Sequence, residues 1–267
     1  MDLQLTGKRA VVTGGSRGIG KACARELARE GCDVVLFART EDTLRAAAAE
    51  LATETGRKIT PIVCDTSSDE SVKAAVRDAI AALGGGVDIL VNCAATAGGQ
   101  AAAPTLAEVT DDNYWADMNV KVLGYLRTAR ELAPTMIEQG WGRIINISGL
   151  AARQSGSLIG SMRNVSVAAL TKNLADQLGP HGINVTVVHP GLTRTEATPG
   201  VIKWRAETSG RSEAEVEKQM AEGNVVRRFI DAEDIAAVVT FLASPRSVAI
   251  TGDAVAAGGG APRAIYY

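Results

Sequence analysis

Short runs of consecutive apolar residues alternate along this chain with longer stretches in which apolar residues recur at helical spacing. The run from Asp33 to Ala38 is almost continuously apolar, which is typical of a parallel strand buried on both faces. An alanine-rich helix is predicted after it, from about Glu41 to Thr55, and the same pair of patterns returns several times. Repeated strand-helix-strand units favour a parallel sheet with helices on both faces.

The order of these patterns predicts an α/β fold with a doubly wound parallel sheet of about seven strands. The predicted strands cover about residues 8–12, 33–38, 59–64, 87–92, 142–147, 183–188 and 254–256. The predicted helices cover about residues 21–30, 41–55, 69–83, 111–139, 156–178 and 231–242, and a loop of small residues is expected over 94–104. No linker divides the chain, so residues 1–267 are expected to form one domain.

The pattern changes between Thr195 and Glu222, where charged residues dominate and Pro199, Gly200 and Gly210 interrupt the helical spacing. Ligands of doubly wound sheets bind beyond the carboxyl ends of the strands, and this insertion follows the sixth predicted strand. We therefore expect the insertion, at about 195–223, to be a lid over a substrate. Because few of its residues look able to bury an apolar face, it is also expected to be the most protease-sensitive segment.

Composition narrows the class of partner. The 28 basic and 30 acidic residues give a net charge of -2, so nucleic acid and anionic membranes are poor candidates. No window is long and apolar enough to span a membrane, and the N-terminus lacks a signal-like segment. Cys23, Cys32, Cys64 and Cys93 lack metal-site spacing and have apolar neighbours, which indicates reduced core thiols. These features predict a cytoplasmic protein without a metal site that acts on small molecules.

The first predicted strand leads into the sequence TGGSRGIG at 13–20 and then into a helix. A diphosphate binds to the unpaired N–H groups and positive dipole end of a helix, and glycines let the backbone approach it. An ordinary tight turn is the alternative, but the position between a strand and a helix favours a nucleotide site. The candidate nucleotide-binding residues of this turn are Gly14, Ser16, Arg17, Gly18, Ile19 and Gly20.

Several separate motifs resemble those of the short-chain dehydrogenase/reductase family. The segment 13–20 is similar to the family's TGxxxGIG turn, and 92–95 (NCAA) resembles its NNAG segment with the last glycine replaced. Asn119 stands where the family keeps a structural asparagine in a long helix. The segment 190–195 resembles the family's PGxxxT nicotinamide clamp, and 250–253 resembles its closing ITG segment.

The resemblance covers nearly the whole chain and implies a Rossmann fold that binds a nicotinamide dinucleotide. It adds Asn92, Pro190, Gly191 and Thr195 to the candidate cofactor-binding residues. It also implies a homo-oligomer, because family members commonly form tetramers through the two long helices, here about 111–139 and 156–178.

The preference between NAD(H) and NADP(H) depends on which residues stand at the end of the second predicted strand. A carboxylate there, roughly twenty residues past the glycines, binds the ribose hydroxyls of NAD. Ala38 occupies that place in this chain, and Arg39 follows it. Arg39 and Arg17 therefore favour NADP(H) over NAD(H), because two guanidinium groups attract a 2'-phosphate that a carboxylate would repel. The alternative is that both arginines are solvated turn residues.

Asp65 follows the third predicted strand and resembles the adenine contact of the family. An aspartate at the start of a helix also fits the role of an N-cap. Thr66, Ser67 and Ser68 compete for that capping role, so both interpretations of Asp65 stay open.

The catalytic segment departs from the family pattern. In the family a serine, an asparagine, and a tyrosine and lysine in YxxxK spacing carry hydride chemistry, since the lysine lowers the tyrosine pKa and the tyrosine transfers the hydroxyl proton. Counting back from ALTKNLA at 169–175 places Gly160 at the tyrosine position and Asn164 at the lysine position. No tyrosine occurs between Tyr125 and Tyr266. Ordinary ketone reduction is therefore expected to be slower by a factor of about 100 to 10,000.

Neighbouring residues do not restore the motif. Ser161 is one position along, and Lys172 is two turns away on the same predicted helix. The strand register places Gly149 at the usual serine position and Ser148 one residue early, so Ser148 is a candidate whose side chain can face the wrong way.

Four other residues are candidates near the expected nicotinamide. His189, one of two histidines, is a candidate base, although a packed role is the commoner one. Arg153 and Arg163 flank the site and either bind an anionic substrate, polarise a carbonyl or simply face solvent. Asn119 is a candidate for catalysis, but without its usual partners a structural role is favoured.

These observations predict a cytoplasmic, NADP(H)-binding oxidoreductase that acts on a carbonyl or alcohol with an atypical active site. Two other classes stay open. One is a nucleotide-binding pseudoenzyme that acts as a sensor or as the inactive member of an assembly. The other is a non-redox enzyme that uses the same pocket for proton transfer.

Overall fold

A seven-stranded parallel sheet forms the centre of the computed structural model, which describes residues 1–96, 101–263 and 265. The strand order is β3-β2-β1-β4-β5-β6-β9, and every neighbouring pair is parallel. The strands are β1 (Arg9–Thr13), β2 (Asp33–Ala38), β3 (Ile59–Val63), β4 (Ile89–Asn92), β5 (Gly142–Ile147), β6 (Ile183–Pro190) and β9 (Ala254–Ala257), and the two-residue strands β7 (Thr193–Arg194) and β8 (Ile230–Asp231) pair separately. The predicted doubly wound sheet is confirmed.

Helices cover both faces of this sheet. They are α1 (Gly18–Arg29), α2 (Glu41–Thr55), α3 (Asp69–Ala82), α4 (Asp111–Met118), α5 (Gly124–Gln139), α6 (Leu158–Leu178), α7 (Thr198–Ser209), α8 (Glu213–Ala221) and α9 (Ala232–Ala243). Neighbouring residues of a strand enter different cores, because side chains alternate along a strand. Val12 packs with α1, α2 and α9, whereas Val11 packs with α3, α5 and α6.

The long helix predicted over 111–139 contains a break that the sequence pattern did not predict. Between α4 and α5 the residues Asn119–Leu123 form a π-helical segment, in which the Gly124 N–H donates to the carbonyl of Asn119. A π segment adds one residue to a turn. It therefore changes which side chains face the sheet without changing the apolar composition from which the helix was predicted.

The insertion after β6 has a small core of its own. Five of its buried apolar residues pack with Phe229, which follows the insertion: Val201, Ile202, Ala206, Val216 and Met220. The expectation that it buries little apolar surface is therefore wrong. Pro199 and Gly200 do not break the helix either, because they lie in the first turn of α7, where proline loses no hydrogen bond. Gly210 does end α7, with a φ of +68°.

The strand ends create a crevice where β1 lies between β2 and β4, since the chain runs away from β1 in opposite directions there. The loop predicted over 94–104 borders this crevice, but residues 97–100 lie outside the described part of the chain. None of the described helices is long and apolar enough to cross a membrane.

Candidate active site

A cavity of about 1000 Å³ opens at the carboxyl ends of β4, β5 and β6. The insertion and the segment after β9 form its other walls. Of the residues predicted from sequence, the cavity lining includes Ile19, Ser148, Asn164, Pro190, Gly191 and Thr195. The structure thus brings residues from separate motifs to one place, at the sheet edge where ligands of this fold bind.

Two glycines of the turn tolerate no side chain, because backbone atoms of neighbouring residues lie too close to them. Gly14 has a φ of +67°, and a Cβ there would lie 3.0 Å from Ala94 Cα. At Gly20 a Cβ would overlap the carbonyl oxygen of Gly14, so only glycine lets α1 begin this close to β1. The N–H of Gly18 donates to a carboxylate oxygen of Glu196 at 2.9 Å. This helix start therefore already holds an anionic oxygen, as a diphosphate site must.

Arg17 and Arg39 lie exposed at the same edge of the sheet, and their contact with a nucleotide stays a prediction. The side chain of Arg39 is close enough to Asp65 to favour the ionised carboxylate. Burial opposes ionisation of Asp65, but hydrogen bonds from Ser67 and the charges of Arg39 and Arg127 outweigh it and lower the pKa of Asp65.

The competition for the cap of α3 is resolved in favour of Ser68, whose hydroxyl accepts from the N–H of Ser71. Asp65 instead accepts from the N–H and the hydroxyl of Ser67, at 3.0 and 2.7 Å. Asp65 thus shapes the turn before the helix and remains at the nucleotide edge, so its predicted capping role is wrong and its predicted nucleotide contact stays a prediction.

The side chain of Asn92 has a structural role that the sequence did not indicate. Its side chain donates to Asn146 Oδ1 at 2.9 Å and accepts from the hydroxyl of Thr128 at 2.7 Å, while Asn146 donates to the hydroxyl of Thr171. All four side chains are buried and none lines the cavity. Asn92 therefore ties two strands to two helices, and its expected contact with the nucleotide is not supported.

Asn119 also has a structural position, as favoured from sequence. It begins the π-helical segment, and its side-chain and backbone oxygens accept from the guanidinium of Arg127 at 2.8 and 3.2 Å. Its side chain does not line the cavity. Asn119 therefore fixes the break in the long helix.

The hydroxyl of Ser148 faces α6. It donates to the backbone carbonyl of Asn164 at 3.0 Å, and the Ser148 N–H donates to Val188. Gly149, at the family's serine position, comes close to the side chain of Asn164 instead, since a Cβ there would lie 3.1 Å from its Nδ2. The proton of the Ser148 hydroxyl is thus engaged in this hydrogen bond to α6.

Gly160 and Asn164 are one helical turn apart near the start of α6. The Gly160 N–H donates to the hydroxyl of Ser157, which caps the helix. Asn164 is buried and lines the cavity. Tyr125 does not replace the missing tyrosine, because its hydroxyl is buried in a hydrogen bond to the carbonyl of Ile147 and lies outside the cavity.

Lys121 is the residue that sequence reasoning missed. It lies in the π-helical segment, lines the cavity and is only 4% exposed. Its ammonium donates to the carbonyl of Ser148 at 3.0 Å and to Asn164 Oδ1 at 3.3 Å. The sequence did contain a hint, because Lys121 is an isolated charged residue two positions after the motif asparagine. A regular α-helix was assumed there, however, and it did not indicate that the Lys121 side chain faces the cavity.

Burial and, to a smaller extent, the positive charge of Arg163 lower the pKa of Lys121 to about 7. Cys93 and Asp117 act in the opposite direction with smaller effects. Burial in turn raises the pKa of the Cys93 thiol to about 11, so this cysteine remains a thiol. The amine of Lys121 is therefore the group in the cavity wall whose protonation changes near neutral pH.

His189 belongs to β6, where it is paired with Ala256, and it is buried and does not line the cavity. Burial and the nearby charges of Arg153 and Lys121 lower the pKa of His189 to about 4. Its Nδ1 has no hydrogen-bond partner among the described residues. The candidate base is thus a neutral imidazole held behind the site, which supports the packed role.

The flanking arginines differ from each other. Arg163 is paired with Asp117, with Nη1 at 2.8 Å from both carboxylate oxygens. Arg153 contributes positive charge near His189. Arg205, from α7 of the insertion, lines the cavity as well and was not predicted. No cluster of metal-ligating residues occurs in the described ranges.

Comparison with known proteins agrees with this geometry. The family model described as enoyl-(acyl carrier protein) reductase matches residues 14–261. The short-chain reductase protein NovJ of Streptomyces niveus is 37% identical over 95% of this chain and 93% of its own length. A 3-oxoacyl-[acyl-carrier-protein] reductase of Aquifex aeolicus is 30% identical over 97% and 99%.

Among solved structures, L-sorbose reductase from Gluconobacter frateurii, crystallised with NADPH and L-sorbose, superposes with a TM-score of 0.93. It is 30% identical, and the match covers 99% of this chain and 100% of that one. Sequence motifs, fold and relatives agree over nearly the full length. The chain belongs to the short-chain dehydrogenase/reductase family of oxidoreductases.

Proposed function

We propose that this protein is an NADP(H)-dependent oxidoreductase of a carbonyl or alcohol substrate whose proton-transfer site is rearranged. The observation that carries the proposal is a contrast between two parts of the site. The glycine turn, whose Ile19 lines the cavity, keeps its close-packed geometry, whereas we place Gly160 and the cavity residue Asn164 at the tyrosine and lysine positions. A bound nicotinamide supplies or accepts hydride at the substrate carbon. The chain itself must bind, orient and exchange the proton.

The residues present fit an NADP(H) nucleotide. The turn that begins α1 offers an N–H that already holds an anionic oxygen, and Arg17 and Arg39 stand exposed where a 2'-phosphate needs positive charge. Ala38 brings no carboxylate to this place. By resemblance, Pro190, Gly191 and Thr195 would hold the nicotinamide. The solved relative in complex with NADPH supports the same preference.

The insertion at about 195–223 serves as the substrate lid in this proposal. It supplies Arg205 and several polar groups to the cavity, and directly after it the backbone N–H groups of Val225 and Val226 donate to the segment after β9. The described cavity lining carries Lys121, Arg163 and Arg205 and no carboxylate, and Arg163 is neutralised by Asp117. We therefore expect the substrate to be a carbonyl compound with an anionic group.

The test combines binding and turnover. NADPH and NADH dissociation constants are measured by nucleotide fluorescence, and NADPH consumption is followed with ketones that include L-sorbose and a 3-oxoacyl thioester. We expect tighter binding of NADPH and turnover that favours an anionic ketone over its neutral ester. Equal affinity for both nucleotides would contradict the cofactor assignment. Binding of NADPH without turnover of any ketone would contradict the oxidoreductase assignment.

A non-catalytic nucleotide-binding role is the second candidate. It is favoured by Gly160, which carries no proton donor, and by the Ser148 hydroxyl, whose proton is committed to Asn164. A sensor of this kind binds NADPH but consumes none in single-turnover experiments. A non-redox enzyme would instead change its substrate while the nucleotide redox state stays constant, so product analysis separates the three classes.

We also expect a cytoplasmic homotetramer that forms through α5 and α6. Their outer faces expose apolar side chains, among them Leu126 at 38%, Met162 at 51% and Val165 at 51%. Apolar surface on two adjacent long helices fits an oligomer contact. Light scattering checks the mass, and Val165→Glu is expected to lower it.

A further inference from the structure

We propose that Lys121 is the proton donor of this site, and that it delivers the proton from the π-helical segment to the substrate oxygen, in place of the family's tyrosine and lysine on α6. This inference rests on the proposed oxidoreductase function and names the acid that the function requires. It starts from the position of the ammonium in the cavity wall.

The contacts of Lys121 place its ammonium beside the vacated lysine position. Its Nζ lies 3.3 Å from Oδ1 of Asn164, the residue at that position, and 3.0 Å from the carbonyl of Ser148. Among the described residues these two oxygens are its hydrogen-bond acceptors, whereas an ammonium has three N–H donors. One donor thus remains for a ligand in the cavity that the side chain lines.

The other polar groups at this end of the cavity are less suited to the task. The Ser148 hydroxyl donates to a backbone carbonyl, and Tyr125 and His189 are buried outside the cavity. Arg163 is held by Asp117, and a guanidinium does not release protons at neutral pH. Lys121 therefore combines access to the cavity with a transferable proton.

The π-helical segment gives this lysine its unusual direction. A residue inserted into one turn rotates the preceding helix relative to the following one, and such segments are frequent at functional sites. Asn119 and Arg127 secure the segment through their hydrogen bonds. Lys121 thus reaches the interior although the residues beside it, Val120 and Val122, are only partly buried.

The charges around Lys121 suit an acid that exchanges its proton near neutrality. Arg163 on α6 disfavours the ammonium and Asp117 on α4 favours it, whereas Cys93 after β4 would favour it only as a thiolate. His189 on β6 is neutral above about pH 4 and adds no charge. Burial has the largest effect, and the pKa of Lys121 falls from 10.5 to about 7.

The step balances with the nicotinamide as the reductant. In reduction the carbonyl carbon gains a hydride, its C=O π bond breaks, and the oxygen forms an O–H bond with a proton from Nζ. Lys121 is left as a neutral amine and regains a proton from solvent. In oxidation the neutral amine takes the hydroxyl proton while hydride leaves the carbon. Reduction thus needs the protonated form and oxidation the neutral form.

The test uses three variants of the full chain. Lys121→Met removes the acid at similar volume, Lys121→Arg keeps a positive charge without a transferable proton, and Lys172→Met is the matched control, since Lys172 is 61% exposed in its pair with Asp176. Thermal unfolding and NADPH affinity confirm that each variant is folded. A positioned general acid contributes a factor of about 100 to 10,000, so both Lys121 variants should lose that much ketone reduction while Lys172→Met loses none.

The pH dependence gives a second readout. Below its folded pKa Lys121 is protonated, so wild-type reduction should fall and alcohol oxidation should rise as pH increases through about 7. The residual rate of the Lys121 variants should show no such transition. In nucleotide-free protein, NMR of lysines labelled at Nζ should show one signal that titrates near neutrality and is missing in Lys121→Met.

Three results would overturn the inference, of which the third concerns Lys121→Arg and is given last. One is a wild-type enzyme whose turnover Lys121→Met retains within about twofold, and another is an Nζ signal of Lys121 that titrates near the ordinary lysine pKa of about 10.4. A wild-type protein that binds NADPH but reduces no ketone would instead contradict the proposed function itself. Full activity in Lys121→Arg would show that charge alone is needed, and it would also reject proton donation.

Discussion

The two ends of the cavity have changed to very different degrees from the family pattern. At the nucleotide end the glycine turn keeps its motif and a geometry in which Gly14 and Gly20 cannot carry a side chain. At the other end we infer that Gly160 and Asn164 stand at the positions of the family's tyrosine and lysine, and Lys121 enters from the π-helical segment. Phosphate binding requires that the backbone N–H groups of the turn be held in one conformation. A proton, in contrast, can come from any well-placed side chain. The first requirement therefore restricts which residues can form the turn, whereas the second allows the proton donor to lie on a different element.

Among changes in nucleotide affinity, the largest is expected from Gly20→Ala. The added Cβ would overlap the carbonyl of Gly14, so the turn must open. Overpacking of this kind costs about 1 to 3 kcal/mol of unfolding free energy, and NADPH affinity should fall about 100-fold as the N–H groups move. Calorimetry and fluorescence titration measure both. Gly179→Ala is the control, since a Cβ at Gly179 meets nothing within 4 Å.

The next effect tests whether the family's proton donor can return. Gly160→Tyr with Asn164→Lys should raise ketone reduction about 100-fold in a Lys121→Met background, the low end for a general acid. With Lys121 present the gain should be smaller, because two ammonium groups would compete for one place. The Ser157 hydroxyl must leave the Gly160 N–H, since a Cβ there would lie 2.7 Å from it. Either change alone should do little, and a gain from Asn164→Lys alone would contradict this view.

A tenfold effect is expected at the second strand. Arg39→Asp should reverse the preference for NADPH over NADH, because a carboxylate repels the 2'-phosphate and accepts from ribose hydroxyls. One charge-assisted contact is worth about 1.5 to 3 kcal/mol, or about tenfold or more in affinity. Arg45→Asp, at an exposed site on α2, is the control. An unchanged ratio of dissociation constants in Arg39→Asp would reject the role of Arg39.

The smallest effect concerns the carboxylate on the helix start. Glu196 accepts from the Gly18 N–H, so a diphosphate at that place must displace it. Glu196→Gln should strengthen NADPH binding by about twofold to fivefold, in line with about 0.3 to 1 kcal/mol for a charge at a helix terminus. Glu222→Gln, exposed at the other end of the insertion, should have no effect. Weaker binding in Glu196→Gln would mean that this carboxylate helps to hold the nucleotide.

The sequence predicted the sheet and most helix bounds because buried parallel strands leave apolar runs that are easy to see. β2, α2 and β5 begin and end where they were predicted. The insertion was misjudged, since the apolar residues that pack between α7 and α8 are scattered among charges. Its proteolytic sensitivity stays a prediction, although its packed core now argues for slower cleavage.

The site was predictable where it depends on backbone shape and not where it depends on side-chain direction. The motif correctly predicted the glycine turn, but it did not indicate that the side chain of Asn92 takes part in a buried network of hydrogen bonds. Lys121 was missed because the prediction assumed uninterrupted α-helical spacing, which did not place its side chain on the face toward the cavity. The partners of a side chain are long-range contacts, which a local pattern does not contain.

The direction in which the Lys121 side chain points depends on the number of residues in the π-helical segment. Each residue of an α-helix turns the chain by about 100°, so one residue gained or lost between α4 and α5 rotates the whole of α4 by that angle. Deletion of a single residue there would leave two good helices and an intact fold while the ammonium swings out of the cavity. In evolution, this site is therefore more vulnerable to a change of length in one helical turn than to many substitutions.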